Sequence, residues 1–237
     1  MAANPPRIFA MGGASVLPSS TDWPMYRYML DMTGRERPRI CFIGTASGDD
    51  ASYRAAFYAT FARQADASHL ALFDIQVTDI PGFLLDQDVI YVGGGNTANL
   101  LTVWRLHGVD RALKSAWESG VILGGPSAGG MCWFEAGLTD SFGLQLAPMK
   151  DGLKFLDGSF CPHYDSESLR RPRYEETVGS GSLPDGYAAD DGATLVFNGR
   201  RLEEVVASLP GQHAYRVERR RGNSVEETQV RARLLRS

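Results

Sequence analysis

Four short apolar runs, each ending in glycine, constrain the fold of this chain more than any other feature. They are residues 7–13, 39–44, 89–95 and 121–125. A continuous apolar run of this length is typical of a strand that is buried on both faces, as the strands of a parallel sheet are. We therefore expect the four runs to form strands of one parallel sheet.

Helical patterns separate these runs. Residues 51–65 can form one helix, residues 100–107 carry the apolar face of a second, and residues 109–117 carry that of a third, which ends at Gly120. Strands that alternate with helices predict an α/β fold, a mostly parallel sheet flanked by helices. Ligands bind beyond the carboxyl ends of such strands, which is where glycine collects in this sequence.

The last third of the chain predicts antiparallel structure. Residues 193–197 and 202–208 flank Asn198-Gly199, which is typical of a β-hairpin with a type I′ turn. The tail predicts further antiparallel edge strands, at residues 215–219 and 228–234. Because no repeat, low-complexity segment or linker interrupts the chain, we expect one domain over residues 1–237. We expect the protein to be a monomer or a homodimer.

Composition argues against several classes of protein. The 237 residues are 43% hydrophobic with a net charge of −4, which does not favour binding to nucleic acid or to anionic membranes. No apolar stretch approaches the roughly 18 residues of a membrane span. Residues 1–13 lack the pattern of a secretory signal. The three cysteines form no C-x-x-C pair, so we expect them to be buried in a cytoplasmic protein.

The fourth apolar run leads into a G-x-S-x-G sequence, Gly125-Pro126-Ser127-Ala128-Gly129, which has the form of a nucleophile elbow. A catalytic serine stands on a strained turn with its hydroxyl exposed, so its neighbours must be small. The first main-chain N–H groups of the next helix then face a developing oxyanion. The preceding strand favours this interpretation over a glycine-rich turn without catalysis.

A nucleophilic serine needs an adjacent base, and the chain has four histidines. The settings of His69, His107 and His213 favour structural roles. His163 differs, because it follows a short apolar segment where the chain leaves the core, and we favour it as the base.

The imidazole also needs an acidic partner. The residues alone leave four candidates open: Asp140, Asp165, Asp190 and Asp191. Asp190-Asp191-Gly192 is equally compatible with a plain turn.

A second glycine-rich turn, residues 93–97, follows a strand and opens a helix. It matches neither a dinucleotide-binding motif nor a Walker loop, so phosphate binding is not favoured. We expect the Gly95 N–H to face Ser127 as a second oxyanion donor, a role compatible with Asn96 or Thr97 as the helix N-cap.

Taken together, residues 93–97, residues 125–129 and Pro162-His163-Tyr164 resemble peptidase E, the aspartyl dipeptidases among the S51 serine peptidases. The resemblance covers residues 38–200. It implies a fold similar to that of class I glutamine amidotransferases, with serine in place of the amidotransferase cysteine.

The resemblance also implies roles for individual residues. Ser127 would be the nucleophile, His163 the base, and the N–H groups of Gly95 and Ala128 the oxyanion hole. The family's third triad member is a glutamate followed by glycine, whose place is taken here by an aspartate. The candidates for that role are Asp191 first, Asp190 as its alternative, and Asp140 as the counterpart of an aspartate after the elbow.

Substrate recognition departs from the family pattern. Family members that require N-terminal aspartate carry a Gly-Glu-Thr-Arg segment whose arginine holds the aspartate side chain. Here residues 169–174 read Leu-Arg-Arg-Pro-Arg-Tyr. Arg170, Arg171 and Arg173 are the candidates for binding a substrate carboxylate, since guanidinium groups bind carboxylates in bidentate geometry.

We therefore expect a serine peptidase without metal or cofactor that hydrolyses short peptides, with Asp-Xaa dipeptides as candidate substrates. Two alternatives stay open. One is an α/β-hydrolase esterase, in which Asp190 or Asp191 and then His213 would complete the triad. The other is a non-catalytic binding protein with an amidotransferase-like fold.

Overall fold

A computed structural model describes residues 5–13 and 24–236; residues 1–4 of the N-terminal segment considered above lie outside the described residues. The strands in the described residues are β1 (Arg7–Met11), β2 (Arg39–Ile43), β3 (Asp66–Leu70), β4 (Val89–Val92), β5 (Ile122–Pro126), β6 (Phe134–Thr139), β7 (Ala147–Met149), β8 (Leu156–Cys161), β9 (Gly186–Ala189), β10 (Ala193–Asn198), β11 (Arg201–Ala207), β12 (Ala214–Arg219), β13 (Val225–Val230) and β14 (Arg233–Leu234). The α-helices are α1 (Pro24–Asp31), α2 (Ala51–Phe61), α3 (Ile80–Leu85), α4 (Thr97–His107), α5 (Val109–Glu118), α6 (Ala128–Met131) and α7 (Arg170–Gly179).

The larger of two sheets has the strand order β14-β11-β10-β1-β5-β4-β2-β3. The strands from β1 to β3 in this order pair in parallel, and they include all four glycine-ended runs. The predicted parallel sheet is therefore confirmed. Strand β3 was not predicted, because its residues are mostly polar and partly exposed.

Helices cover both faces of the parallel strands. Along β4, Ile90 and Val92 pack in one core cluster with side chains of α4 and α5. Val89 and Tyr91 point the other way and pack with side chains of α1 and α2. Because successive side chains of a strand alternate between faces, a run that is buried on both sides must be apolar throughout.

The second sheet has the order β13-β12-β9-β8-β6-β7. Its strands β6, β8 and β9 are parallel, and β7, β12 and β13 are antiparallel to their neighbours. A single bridge between Gly13 and Asp191 connects the carboxyl end of β1 to the segment that follows β9. The strand ends of both sheets thus meet at one place.

The predicted hairpin is present as β10 and β11, but its turn is of a different type. The register pairs Asn198 with Arg201, so the loop is Gly199-Arg200. Gly199 has a φ of 57°, whereas Arg200 is not among the residues with positive φ. Glycine at the first central position is typical of a type II′ turn, so the predicted type I′ turn was wrong.

Other boundaries also differ from the predictions. The helix predicted over residues 51–65 ends at Phe61, because the chain must turn into β3. Strand β12 lies inside its sheet, between β9 and β13, rather than at an edge as predicted, and β14 pairs in parallel with β11.

All three cysteines are buried and form no disulfide, as predicted. Within the described residues, no helix has the length and apolarity that crossing a membrane requires.

Candidate active site

Ser127 occupies the strained turn between β5 and α6. Its φ of 54° and ψ of −116° lie in a region that costs a non-glycine residue about 1–3 kcal/mol. Its N–H donates to the Met11 carbonyl on β1 at 3.2 Å, and its carbonyl accepts from the N–H groups of Gly130 and Met131. These bonds hold the turn in place and so support the strain at the serine.

The glycines of the elbow are required by a close backbone approach. A Cβ atom at Gly125 would lie 2.0 Å from the Val92 carbonyl oxygen, and one at Gly129 would lie 2.1 Å from the same oxygen. The helix after the serine is short: α6 ends at Met131 and β6 begins at Phe134. The chain therefore passes almost directly from this helix into the second sheet.

His163 lies just beyond the end of β8. Its N–H donates to the Gly12 carbonyl at 3.1 Å, and its φ is 56°. The ring Nδ1 lies 2.8 Å from Oδ1 of Asp191. A carboxylate at this position favours the tautomer with the proton on Nδ1, which leaves Nε2 free to accept a proton.

Asp191 is the one of the four candidate acids that contacts His163. Burial raises the pKa of Asp191, but the interactions with His163, together with those with Ser166 and Arg170, lower it, so the pKa lies below its usual value. The Asp191 N–H donates to Oδ1 of Asp165 at 2.8 Å. Asp165 therefore orients the segment that carries the acid.

Asp190 has a different environment. Its Oδ2 accepts hydrogen bonds from the His213 N–H at 2.9 Å and from the Tyr215 hydroxyl at 3.3 Å. Burial raises the pKa of Asp190 above its usual value. Asp140 is exposed beyond the end of β6. In the described part of the chain, neither of these aspartates is bonded to His163.

Ser127 and His163 line one cavity of about 460 Å³, which is within the size range of small-molecule sites. The other described lining residues are Asp50, Ser52, Tyr53, Ala56, Gly94, Gly95 and Pro126. No hydrogen bond joins the Ser127 hydroxyl to His163 among the described residues. Such bonds are often long in a free enzyme and tighten when substrate binds.

Two main-chain donors remain unpaired beside Ser127. The Gly94 N–H donates to the Tyr53 hydroxyl at 3.2 Å. The N–H groups of Gly95 and Ala128 have no hydrogen-bond partner in the described structure. A Cβ atom at Gly94 would lie 3.5 Å from the Ser127 Cβ, so this turn and the serine are neighbours. Both donors predicted from sequence are thus available to a ligand.

The three candidate arginines lie on or at the start of α7, and none of them lines the described part of this cavity. Arg170 is buried and donates to the Leu138 carbonyl at 2.9 Å. Arg171 stacks on two tyrosine rings. Arg173 is paired with Glu176 at 2.6 Å. Each guanidinium therefore has partners within the protein.

Gly13 is a residue of the site that the sequence analysis missed. A Cβ atom there would lie 1.9 Å from Oδ1 of Asp191 and 2.6 Å from Nδ1 of His163. The Gly13 carbonyl also accepts a hydrogen bond from the Gly192 N–H at 2.9 Å. The paired glycines at the end of β1 were visible in the sequence, but their contacts come from distant segments.

Comparison with known proteins gives the family. The model of peptidase family S51 matches residues 8–205. A relative from Bacillus subtilis (strain 168), the uncharacterized peptidase YgaJ, is 48% identical over 212 residues, which cover 89% of this chain and 91% of YgaJ.

Two crystal structures share the fold. A peptidase from an acI-B1 actinobacterium has a TM-score of 0.65 at 16% identity, covering 96% of this chain and 95% of that one. A protein from Listeria monocytogenes EGD-e, described as a candidate peptidase E, has a TM-score of 0.56 at 18% identity. The match covers 97% of this chain and 100% of that chain. These two structures show that the fold is shared, and the sequence matches show the family. The chain is a serine-type peptidase that belongs to peptidase family S51.

Proposed function

We propose that this chain hydrolyses short peptides with a Ser127–His163–Asp191 triad and an acyl-enzyme intermediate. The observation that carries the proposal is the 2.8 Å contact between His163 and Asp191, at a cavity that Ser127 also lines. The modest volume of that cavity supports a substrate of a few residues rather than a folded protein.

The geometry supports a sequence of proton transfers. Ser127 Oγ attacks the scissile carbonyl carbon while Nε2 of His163 takes the hydroxyl proton, and Asp191 stabilises the imidazolium. The N–H groups of Gly95 and Ala128 stabilise the oxyanion. His163 then gives the proton to the leaving amine as the C–N bond breaks. Water, deprotonated by the same ring, hydrolyses the acyl-enzyme and restores the serine.

The position of His213 does not support the esterase alternative. Its Nδ1 accepts a hydrogen bond from the Ala232 N–H at 3.3 Å, and the residue is not among the described lining of the Ser127 cavity. An esterase triad in the order serine, acid, histidine would require His213 to reach Ser127.

We expect a fluorophosphonate probe to label Ser127, because such probes react with a serine that an adjacent base activates. Mass spectrometry of the digested protein should place the adduct on the Ser127 peptide. His163→Ala should slow labelling at least about 100-fold, since general-base catalysis contributes on the order of 10² or more. The matched variant His213→Ala should be labelled at nearly the rate of the parent protein. An adduct on another serine would contradict the proposed triad. A larger decrease of the labelling rate in His213→Ala than in His163→Ala would contradict it as well.

A second expectation concerns Gly13. Gly13→Ala should fold but lower kcat for peptide hydrolysis about 100-fold, because the new methyl group displaces His163 and Asp191, and a misplacement near 1 Å costs on the order of 10². Gly12→Ala offers a contrast: its Cβ would lie 2.3 Å from the main-chain oxygen of Asp190, so it should lower Tm instead. Steady-state kinetics and thermal unfolding measure the two effects. Full kcat in Gly13→Ala would show that the pair tolerates displacement.

A further inference from the structure

We infer that Asp50 forms an anionic subsite in the Ser127 cavity and binds the ammonium group of a substrate peptide. The inference rests on the proposed function, because it names the substrate chemistry of the same cavity. It also predicts that peptides with an acidic residue next to Asp50 are poor substrates.

The charge of the cavity wall is the first observation. Asp50 is the single carboxylate among the described residues that line the cavity, and no lysine or arginine accompanies it there. Apart from Asp50, the described lining consists of small, hydroxyl-bearing or main-chain groups and His163. Asp50 is exposed, and the negative charge that it gives the cavity wall attracts cations and repels carboxylates.

The second observation is that Asp50 is held in place yet has a free oxygen. It is the N-cap of α2, and its Oδ1 accepts the Tyr53 N–H at 2.7 Å. Its Oδ2 has no partner in the described structure. In the adjacent Asp49, Oδ2 accepts the N–H groups of Leu72 and Phe73, and Oδ1 is buried without a partner among the described residues. Asp49 therefore fixes a loop and does not line the described cavity, whereas Asp50 lines it.

The nearest cation of the same helix is engaged elsewhere. Arg54 follows Asp50 by one turn of α2, and its Nη1 lies 3.4 Å from Nε2 of His69. Arg54 does not appear in the described lining of the cavity, and the described residues include no ion pair of Asp50. The carboxylate is thus not neutralised within the protein.

Tyr53 connects this subsite to the reacting centre. Its N–H binds Asp50, and its hydroxyl accepts the Gly94 N–H, one residue before the donor of Gly95. Because Asp50 and Ser127 line the same cavity, we expect a short peptide whose carbonyl lies at Ser127 to place an ammonium group toward Asp50. The ammonium group could be the peptide's α-amine or a lysine side chain, and the experiment must separate the two.

The test compares four peptides that share the same C-terminal residue, phenylalanine. They are Ala-Phe, Asp-Phe, N-acetyl-Ala-Phe and N-acetyl-Lys-Phe. Asp50→Asn removes the charge and retains an oxygen that can cap α2. Asp79→Asn is the matched control, because Asp79 is the N-cap of α3, bonded to the Gly82 N–H, and does not line the described cavity. Hydrolysis is measured as kcat/KM, and binding is measured by calorimetry with Ser127→Ala protein.

We expect acetylation of Ala-Phe to weaken binding and kcat/KM roughly tenfold in the parent protein, as the loss of one charge-assisted hydrogen bond would. Asp50→Asn should abolish this discrimination and raise the relative rate for Asp-Phe, whereas Asp79→Asn should change neither. Recovery of affinity with N-acetyl-Lys-Phe would assign the subsite to a side-chain ammonium.

Equal affinity of Ser127→Ala protein for Ala-Phe and both acetylated peptides would overturn the inference, as would unchanged discrimination in Asp50→Asn. The proposed function fails by a different result. If the parent protein hydrolyses none of the peptides but binds those with a free amine in a manner that depends on Asp50, the subsite stands and the catalytic proposal falls.

Discussion

Ser127→Ala should lower kcat for peptide hydrolysis by about a million-fold, the loss expected when the nucleophile of a triad is removed. The substitution deletes one hydroxyl group and leaves the main-chain bonds of the turn to Met11, Gly130 and Met131 in place. We therefore expect the oxyanion donors and the cavity to persist, with KM for a residual activity close to that of the parent protein.

Active-site titration, steady-state kinetics and thermal unfolding together test this expectation. Ser52→Ala is the informative comparison, because Ser52 lines the same cavity but lies within α2 and has no proposed role in the reaction. It should retain kcat to within about tenfold, the range in which uniform binding effects fall. Retention of high kcat by purified Ser127→Ala protein would reject the acyl-enzyme mechanism.

Asp191→Asn should lower kcat by about 10⁴-fold with little change in KM. In the proposed mechanism the carboxylate of Asp191, whose Oδ1 lies 2.8 Å from Nδ1 of His163, keeps the proton on that nitrogen and stabilises the imidazolium. An asparagine has no charge to do so, and its amide NH₂ group, if it faces Nδ1, selects the tautomer that cannot accept the serine proton.

The matched variant is Asp190→Asn, one residue away. Asp190 accepts bonds from His213 and Tyr215, and an asparagine oxygen can accept the same bonds. We expect kcat of Asp190→Asn to stay within about threefold of the parent value, since the variant removes no group that contacts His163. A larger loss in Asp190→Asn than in Asp191→Asn would reassign the acid of the triad.

The parallel sheet could be predicted from sequence because strands buried on both faces leave uninterrupted apolar runs. The elbow and the Gly95 turn could be located for a related reason, since the close approach of Gly125 and Gly129 to β4 admits no side chain. Strand β3 could not be predicted in this way. It lies at the sheet edge and is only partly buried, so its sequence carries no such run.

The residue pattern by itself also could not decide between Asp190 and Asp191, and only the family resemblance ranked Asp191 first. Adjacent residues in extended backbone point in opposite directions, so one of the two had to face away from the imidazole. Which one does so depends on how the segment after β9 meets Gly13, a contact between distant parts of the chain. The arginines of α7 illustrate the same limit, because the pattern of residues 169–174 does not reveal that Arg170 is buried.

The meeting of the two sheets at Gly13 and Asp191 has a consequence for how this enzyme comes into being. The proposed nucleophile follows a strand of the larger sheet, whereas the proposed base and its carboxylate follow strands of the smaller one. A polypeptide still emerging from the ribosome, with only its first half structured, would hold a serine but no imidazole to activate it. The proposed triad is therefore complete only after both sheets have formed.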